Sequence, residues 1–134
     1  MKNKKSKEDS IRERFKYMKL PGFECETGWY NLIEKLCEEI VLADKNKKVR
    51  VVQIKEKYGS LRYYTNGCSD KIYDIIDKYE RLSMETCEVC GKKGKLKVTK
   101  GFGWYKTLCE THAKELGYIN PKRKTKEIKS KKAK

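Results

Sequence analysis

Apolar residues between positions 29 and 41 fall at Trp29, Leu32, Ile33, Leu36, Cys37, Ile40 and Val41. Steps of three and four place side chains on one face of an α-helix, so this stretch predicts an amphipathic helix. Cys37 lies within the stripe and reads as a small buried hydrophobe. Thr27 or Gly28 opens the helix, and Asp44-Lys45-Asn46-Lys47 closes it. From Val49 the period becomes two, with Arg50, Val52 and Ile54 on one side and Val51, Gln53 and Lys55 on the other. Leu61, Tyr63 and Thr65 then alternate with Arg62 and Tyr64 beyond Tyr58-Gly59, which predicts a β-hairpin pairing 49–56 with 60–65. After Asn66-Gly67, Ser69 or Asp70 caps a second helix whose stripe is Ile72, Ile75, Ile76, Tyr79 and Leu82. Asp70, Asp74 and Asp77 share its opposite face with Lys71, Lys78 and Arg81 nearby, a pattern of solvated charge.

Past residue 84 the elements shorten. Residues 95–98 and 104–108 are strand-like around a turn at Lys100-Gly101, and a helical pattern runs from Cys109 to about Gly117. Cys87-Glu88-Val89-Cys90-Gly91 precedes this region, and Cys109-Glu110-Thr111-His112 uses the only histidine of the chain. Two pairs, each spaced by two residues, let two short segments present three thiolates and one imidazole to a tetrahedral Zn²⁺. A redox Cys-x-x-Cys explains neither the second pair nor the placement of His112. Four protein ligands leave no position for an activated water, so the expected ion is a single structural zinc. Gly91 suits the turn that aims backbone N–H groups at the thiolates.

A knuckle, a hairpin and a helix carrying the last two ligands resembles a treble-clef zinc finger over residues 85–118. That resemblance implies a fold and leaves function open among structural modules, nucleic-acid binders, protein binders and His-Asn-His nucleases. The nuclease branch needs a histidine general base, and His112 is committed to the metal. A wider resemblance covers residues 21–113. Gly22-Phe23-Glu24-Cys25 with Gly28-Trp29-Tyr30, the run from Val51 to Tyr64, Thr86 to Gly91, and Gly103 to Cys109 look like a set of small phage- and prophage-encoded proteins. This implies a phage accessory context, acting by binding in the cytoplasm of a bacterial host, and no particular reaction.

Composition adds a strong charge. The 134 residues carry a net +15, and it sits at the ends: eight Lys/Arg against three acids in 1–19, and eight against one in 121–134. Such segments bury too little apolar surface to offset their ordering entropy, so both ends are expected to be disordered. The predicted organisation is a basic arm (1–19), an α/β-hairpin/α core (20–84), the finger (85–118) and a basic tail (119–134). The predicted fold class is α+β. Six cysteines, three of them used by the metal, leave an odd number, which fits a reducing cytosol. No apolar run approaches the ~20 residues of a membrane span.

Catalysis has little support. Cys25 and Cys68 have no free histidine to activate them, and Glu24 and Glu26 flank Cys25 and raise its pKa. No phosphate loop or dinucleotide fingerprint occurs, so no small-molecule substrate is expected. The expected activity is binding of nucleic acid, RNA or DNA, or of a host nucleoprotein. Lys55, Lys57, Tyr58, Arg62 and Tyr64 would supply the surface, extended by Tyr105 and Lys106 of the finger and by Lys122, Arg123 and Lys124 of the tail. Cations neutralise phosphates and exposed rings stack on unpaired bases. Trp104 either joins this surface or packs on the metal site. The alternative is an inhibitor that binds a host protein, such as an anti-defence or transcription-modulating factor.

Overall fold

A computed structural model describes residues 6–101 and 103–121 of the chain. The fold is mixed α+β, with two three-stranded sheets. Helix α1 (Lys7–Arg14) leads through a short 3-10 turn to strand β1 (Phe23–Glu24), and helix α2 (Tyr30–Ala43) follows a second such turn, Thr27–Trp29. Strands β2 (Val51–Lys57) and β3 (Ser60–Thr65) form the hairpin, and helix α3 (Asp70–Ser83) closes the core. Strands β4 (Lys95–Thr99) and β5 (Tyr105–Leu108), helix α4 (Glu110–Leu116) and strand β6 (Tyr118–Ile119) build the C-terminal part.

The expected stripes of α2 and α3 make the core. Ile33, Leu36, Cys37 and Ile40 of α2 and Ile72, Ile76 and Tyr79 of α3 are buried with Val51, Ile54, Leu61 and Tyr63 of the hairpin. Ser69 caps α3, its hydroxyl accepting from the Ile72 N–H. Leu82, expected inside, is exposed at the helix end. The α3 helix lies along the β3 edge, where the Ser83 hydroxyl accepts from the Leu61 N–H and the Glu80 carboxylate from the Tyr63 N–H. A sheet edge that would otherwise offer unpaired N–H groups is thereby satisfied by side chains.

Three expectations are corrected. Residues 6–19, expected as part of a disordered arm, are ordered: Ile11, Phe15 and Met18 bury their side chains in the main core. Their spacing of four and three is helical, Ser6 caps α1 by accepting from the Asp9 N–H, and Glu8 accepts from the Phe23 N–H. The charged residues between them face outwards, with Lys7 and Arg14 on Glu34 of α2. Residues 1–5 lie outside the described residues, as does the tail from 122 with Lys122, Arg123 and Lys124. Second, the alternation of β2 is interrupted. A bulge between Val51 and Gln53 turns Val52 out and lets Val51 join Ile54 in the core. Third, β1 pairs in parallel with β2, Phe23 opposite Ile54, so the hairpin is two strands of a three-stranded sheet. Among the described residues, no helix is long and apolar enough to cross a membrane.

Candidate metal centre and adjoining surface

The metal-ligand candidates meet where the knuckle 87–91 abuts the start of α4. The donor atoms of Cys87, Cys90, Cys109 and His112 all lie within 4.8 Å of one another. Cys90 Sγ stands 3.8 Å from Cys109 Sγ, and His112 Nδ1 stands 3.3 Å from Cys109 Sγ and 3.8 Å from Cys87 Sγ. Around a tetrahedral zinc, with Zn–S about 2.3 Å and Zn–N about 2.0–2.1 Å, donor edges are about 3.8 Å for two sulfurs and about 3.6 Å for sulfur and nitrogen. The cluster therefore has the size and chemistry to hold one metal ion, with His112 presenting Nδ1.

Local backbone chemistry prepares the thiolates. Cys109 is the N-cap of α4 in extended conformation, which leaves its sulfur near the His112 backbone N–H. The His112 N–H dipole lowers the Cys109 pKa. Burial pushes the Cys87 thiol up, but N–H groups of Cys109, Cys90 and Val89 outweigh it and bring the pKa below its ordinary value. Cys90 receives the Lys92 N–H, yet burial and the neighbouring sulfurs raise it, a repulsion that a dication would remove. Gly91 adopts φ +84 as its place after the second cysteine requires, with its N–H on Cys87 O at 2.8 Å.

Sequence reasoning missed how this module is fastened to the core. Glu88, inside the knuckle, is only 1 % exposed. Its carboxylate accepts from Lys106 Nζ at 2.9 Å and from the Glu26 N–H at 3.0 Å, while its backbone accepts from the Gly28 N–H at 2.7 Å and donates to Thr107 O at 2.9 Å. Trp29 is fully buried and donates through Nε1 to Thr86 O at 2.8 Å. Thr107 donates to Gly59 O at 2.6 Å, which joins β5 to the turn of the first hairpin. A glutamate between two zinc-type cysteines looks like solvent-facing charge in a sequence, and only the position of Lys106 reveals its burial. A second buried charge, Lys97 at 2 % exposure, is held by Glu110 at 2.8 Å and Asn120 at 2.7 Å.

The predicted binding residues separate into three sets. Lys55 and Arg62 are direct cross-strand neighbours, and Gln53 faces Tyr64 beside them, so Lys55, Lys57, Arg62 and Tyr64 share the outer face of the β1–β2–β3 sheet. Tyr63 turns inward, its hydroxyl 3.0 Å from Cys37 Sγ. Tyr58 forms a second set with Tyr105 and Trp104. They line an open cleft of ≈ 560 Å³ together with Glu56, Lys57, Gly103, Lys106 and Tyr118. Tyr58 is 71 % and Trp104 68 % exposed, so Trp104 does not pack on the metal site. Lys106 is the third case: its ammonium, expected on phosphate, is engaged by Glu88, which keeps it charged despite burial. Asp70, Asp74 and Asp77 are exposed as read. Cys25 is pushed up to about 12, first by burial and then by Glu88, Glu8 and Glu26.

Compared with known protein families, with curated proteins and with solved structures, the chain shows no match.

Proposed function

We propose that the chain is a non-enzymatic, zinc-stapled module that binds nucleic acid, the zinc being structural and the knuckle–hairpin–helix arrangement of residues 85–118 a treble clef. The observation that carries the reading is the basic outer face of the first sheet. Like charges directly opposite one another weaken a sheet, and half-buried Lys55 and Arg62 are placed that way on its outer face, with Lys57 and Tyr64 adjoining and Glu24 of β1 facing Lys55 from the other side, so cations outnumber carboxylates there three to one. A polyanion lying across the pair turns that repulsion into attraction. The chain's +15 adds long-range steering, most of it from the terminal segments. Four protein ligands satisfy a zinc ion, which matches a structural role. A small phage-type accessory protein acting in a host cytoplasm fits this reading.

Salt titration tests it. Affinity for a labelled oligonucleotide should fall linearly on a log–log scale with salt, with a slope of about 0.7–0.9 per phosphate neutralised. Lys55→Gln with Arg62→Gln should reduce the slope by one to two contacts. Affinity indifferent to salt, or no binding at low salt, overturns the proposal. Capture of a single host protein that survives nuclease treatment would favour the inhibitor reading instead.

A further inference from the structure

We infer that the cleft between the β2–β3 turn and the β4–β5 turn takes an unpaired base of single-stranded nucleic acid, stacked against Tyr58 and Trp104. This deepens the nucleic-acid reading and rests on it. Trp29 and Tyr63 are buried, and Tyr64 and Tyr73 are exposed singly on other faces. Tyr58, Trp104 and Tyr105 are exposed and instead converge on one cleft, whose ≈ 560 Å³ falls in the range of about 300–1,000 Å³ that suits a small planar group.

The backbone holds these rings out at some cost. Tyr58 and Gly59 have φ of +50 and +86, the paired positive values of a two-residue type I′ turn between Lys57 and Ser60. The first position of such a turn favours Asn, Asp or Gly, and an aromatic residue there is strained. Trp104 is held from below: its N–H donates to Thr99 Oγ1 at 3.1 Å and its carbonyl accepts from the Thr99 N–H at 3.0 Å. The rings therefore project from anchored backbone.

Charge selects the occupant. Lys57 lies 5.8 Å over the Tyr58 ring at the rim. Glu56 is the carboxylate in the lining, its Oε2 accepting from the Gly59 N–H at 2.7 Å, and Lys106 is neutralised by Glu88. The interior thus repels phosphate and suits a base, while Lys57 and the basic sheet face serve the backbone. Tyr118 also lines the cleft. A base with a phosphate on either side matches this distribution. An acidic peptide matches only the rim.

The full-length, metal-loaded protein supplies its own probe, because Trp29 is fully buried and Trp104 is exposed. Titration with single-stranded oligonucleotides should quench the red-shifted Trp104 component and leave the Trp29 component unchanged. Oligoglutamate of equal length should leave both unchanged. By anisotropy of a labelled strand, Tyr58→Asn and Trp104→Ala should each weaken single-strand binding about 5- to 150-fold, the worth of one stacked base, with duplex affinity and salt slope retained. Asn suits the turn better than Tyr, so a loss in that variant is not a folding failure. Quenching by oligoglutamate, or ring variants that bind single strands as the wild type does, overturns the inference and leaves the nucleic-acid reading standing. Absence of any binding at low salt overturns both.

Discussion

Replacing Gly28 by Ala tests the seating of the metal module on the core with a single methyl group. A Cβ at this position would stand 2.3 Å from Cys87 O, 2.4 Å from Glu88 O and 2.5 Å from the Glu88 carbonyl carbon. These are backbone atoms, so no side-chain rotation relieves the overlap, and the knuckle must retreat by about 1 Å to reach ordinary contact. That retreat breaks the 2.7 Å bond from the Gly28 N–H to Glu88 O and stretches those from Glu26 N–H and Trp29 Nε1. Leaving a buried pair unsatisfied costs about 1–3 kcal/mol, and overpacking a further 1–3 or so. Gly28 lies in a 3-10 turn at ordinary φ, so alanine adds no backbone strain and returns roughly 0.4–1 kcal/mol by restricting the unfolded chain. The net expectation is a loss of about 1–5.5 kcal/mol, read as a lower urea midpoint at unchanged slope. Gly22→Ala is the matched control: its Cβ meets nothing closer than Glu8 Oε2 at 3.6 Å, and it should stay within about 0.5 kcal/mol of wild type. A Gly28→Ala protein within about 0.5 kcal/mol of that control would refute the packing argued for Gly28 against Cys87 and Glu88.

Cys109→Ser, or chelation of the wild type, should abolish the binding of one zinc per chain and unfold the C-terminal module, followed by circular dichroism; unchanged metal content and melting would remove the site. Lys106→Met should cost about 2–3 kcal/mol, less than for a wholly buried pair because the lysine side chain is 26 % exposed, and Glu88→Gln in the same chain should recover part of it. Additive losses in that double-mutant cycle would show that the two groups are uncoupled. Asp44 accepts from Tyr17 OH at 2.6 Å and from the N–H groups of Lys48 and Val49; these bonds outweigh its burial and hold its pKa below the ordinary value. Its contribution is therefore present above the unfolded value of about 3.9 and lost as pH falls through the folded one. Asp44→Asn should be less stable at pH 7 and lose less on acidification from pH 5 to pH 2, and parallel profiles would refute the assignment.

The parts of the molecule legible in the sequence are those with a repeating physical signal. The stripes of α2 and α3, the Ser69 cap and the four metal ligands each follow from spacing, and spacing survives folding. What escaped has no period long enough to read. Ile11, Phe15 and Met18 make two helical steps inside a run of charge, and the net charge of that segment hid them. The bulge after Val51 shifts register by one residue, which no alternation pattern announces. Lys106 looked like a phosphate ligand because a lysine beside tyrosines is one when exposed. Its role here is set by Glu88, eighteen positions away in sequence and 2.9 Å away in space.

The metal centre and the aromatic cleft share no residue, yet one positions the other. Tyr58 belongs to the first hairpin and Trp104 to the second, so the distance between the rings depends on how the two hairpins meet. They meet at Gly59, whose carbonyl takes the Thr107 hydroxyl and whose missing side chain leaves room for Leu96, 2.6 Å from where a Cβ would be. Thr107 and Leu96 sit on β5 and β4, the strands between the two ligand pairs, and Leu108 of β5 is buried beside Cys87. A metal ion held by Cys87, Cys90, Cys109 and His112 would fix those strands against Glu88, and Glu88 fixes them against Gly28 and Glu26 of the core. The basic sheet face, by contrast, is built within residues 51–65 and rests on α2 and α3. In the proposed function, electrostatic attraction to a strand therefore belongs to the core. In the proposed reading, recognition of an unpaired base belongs to the contact between core and metal module, and it is the property that a metal ion bound at these four ligands would maintain.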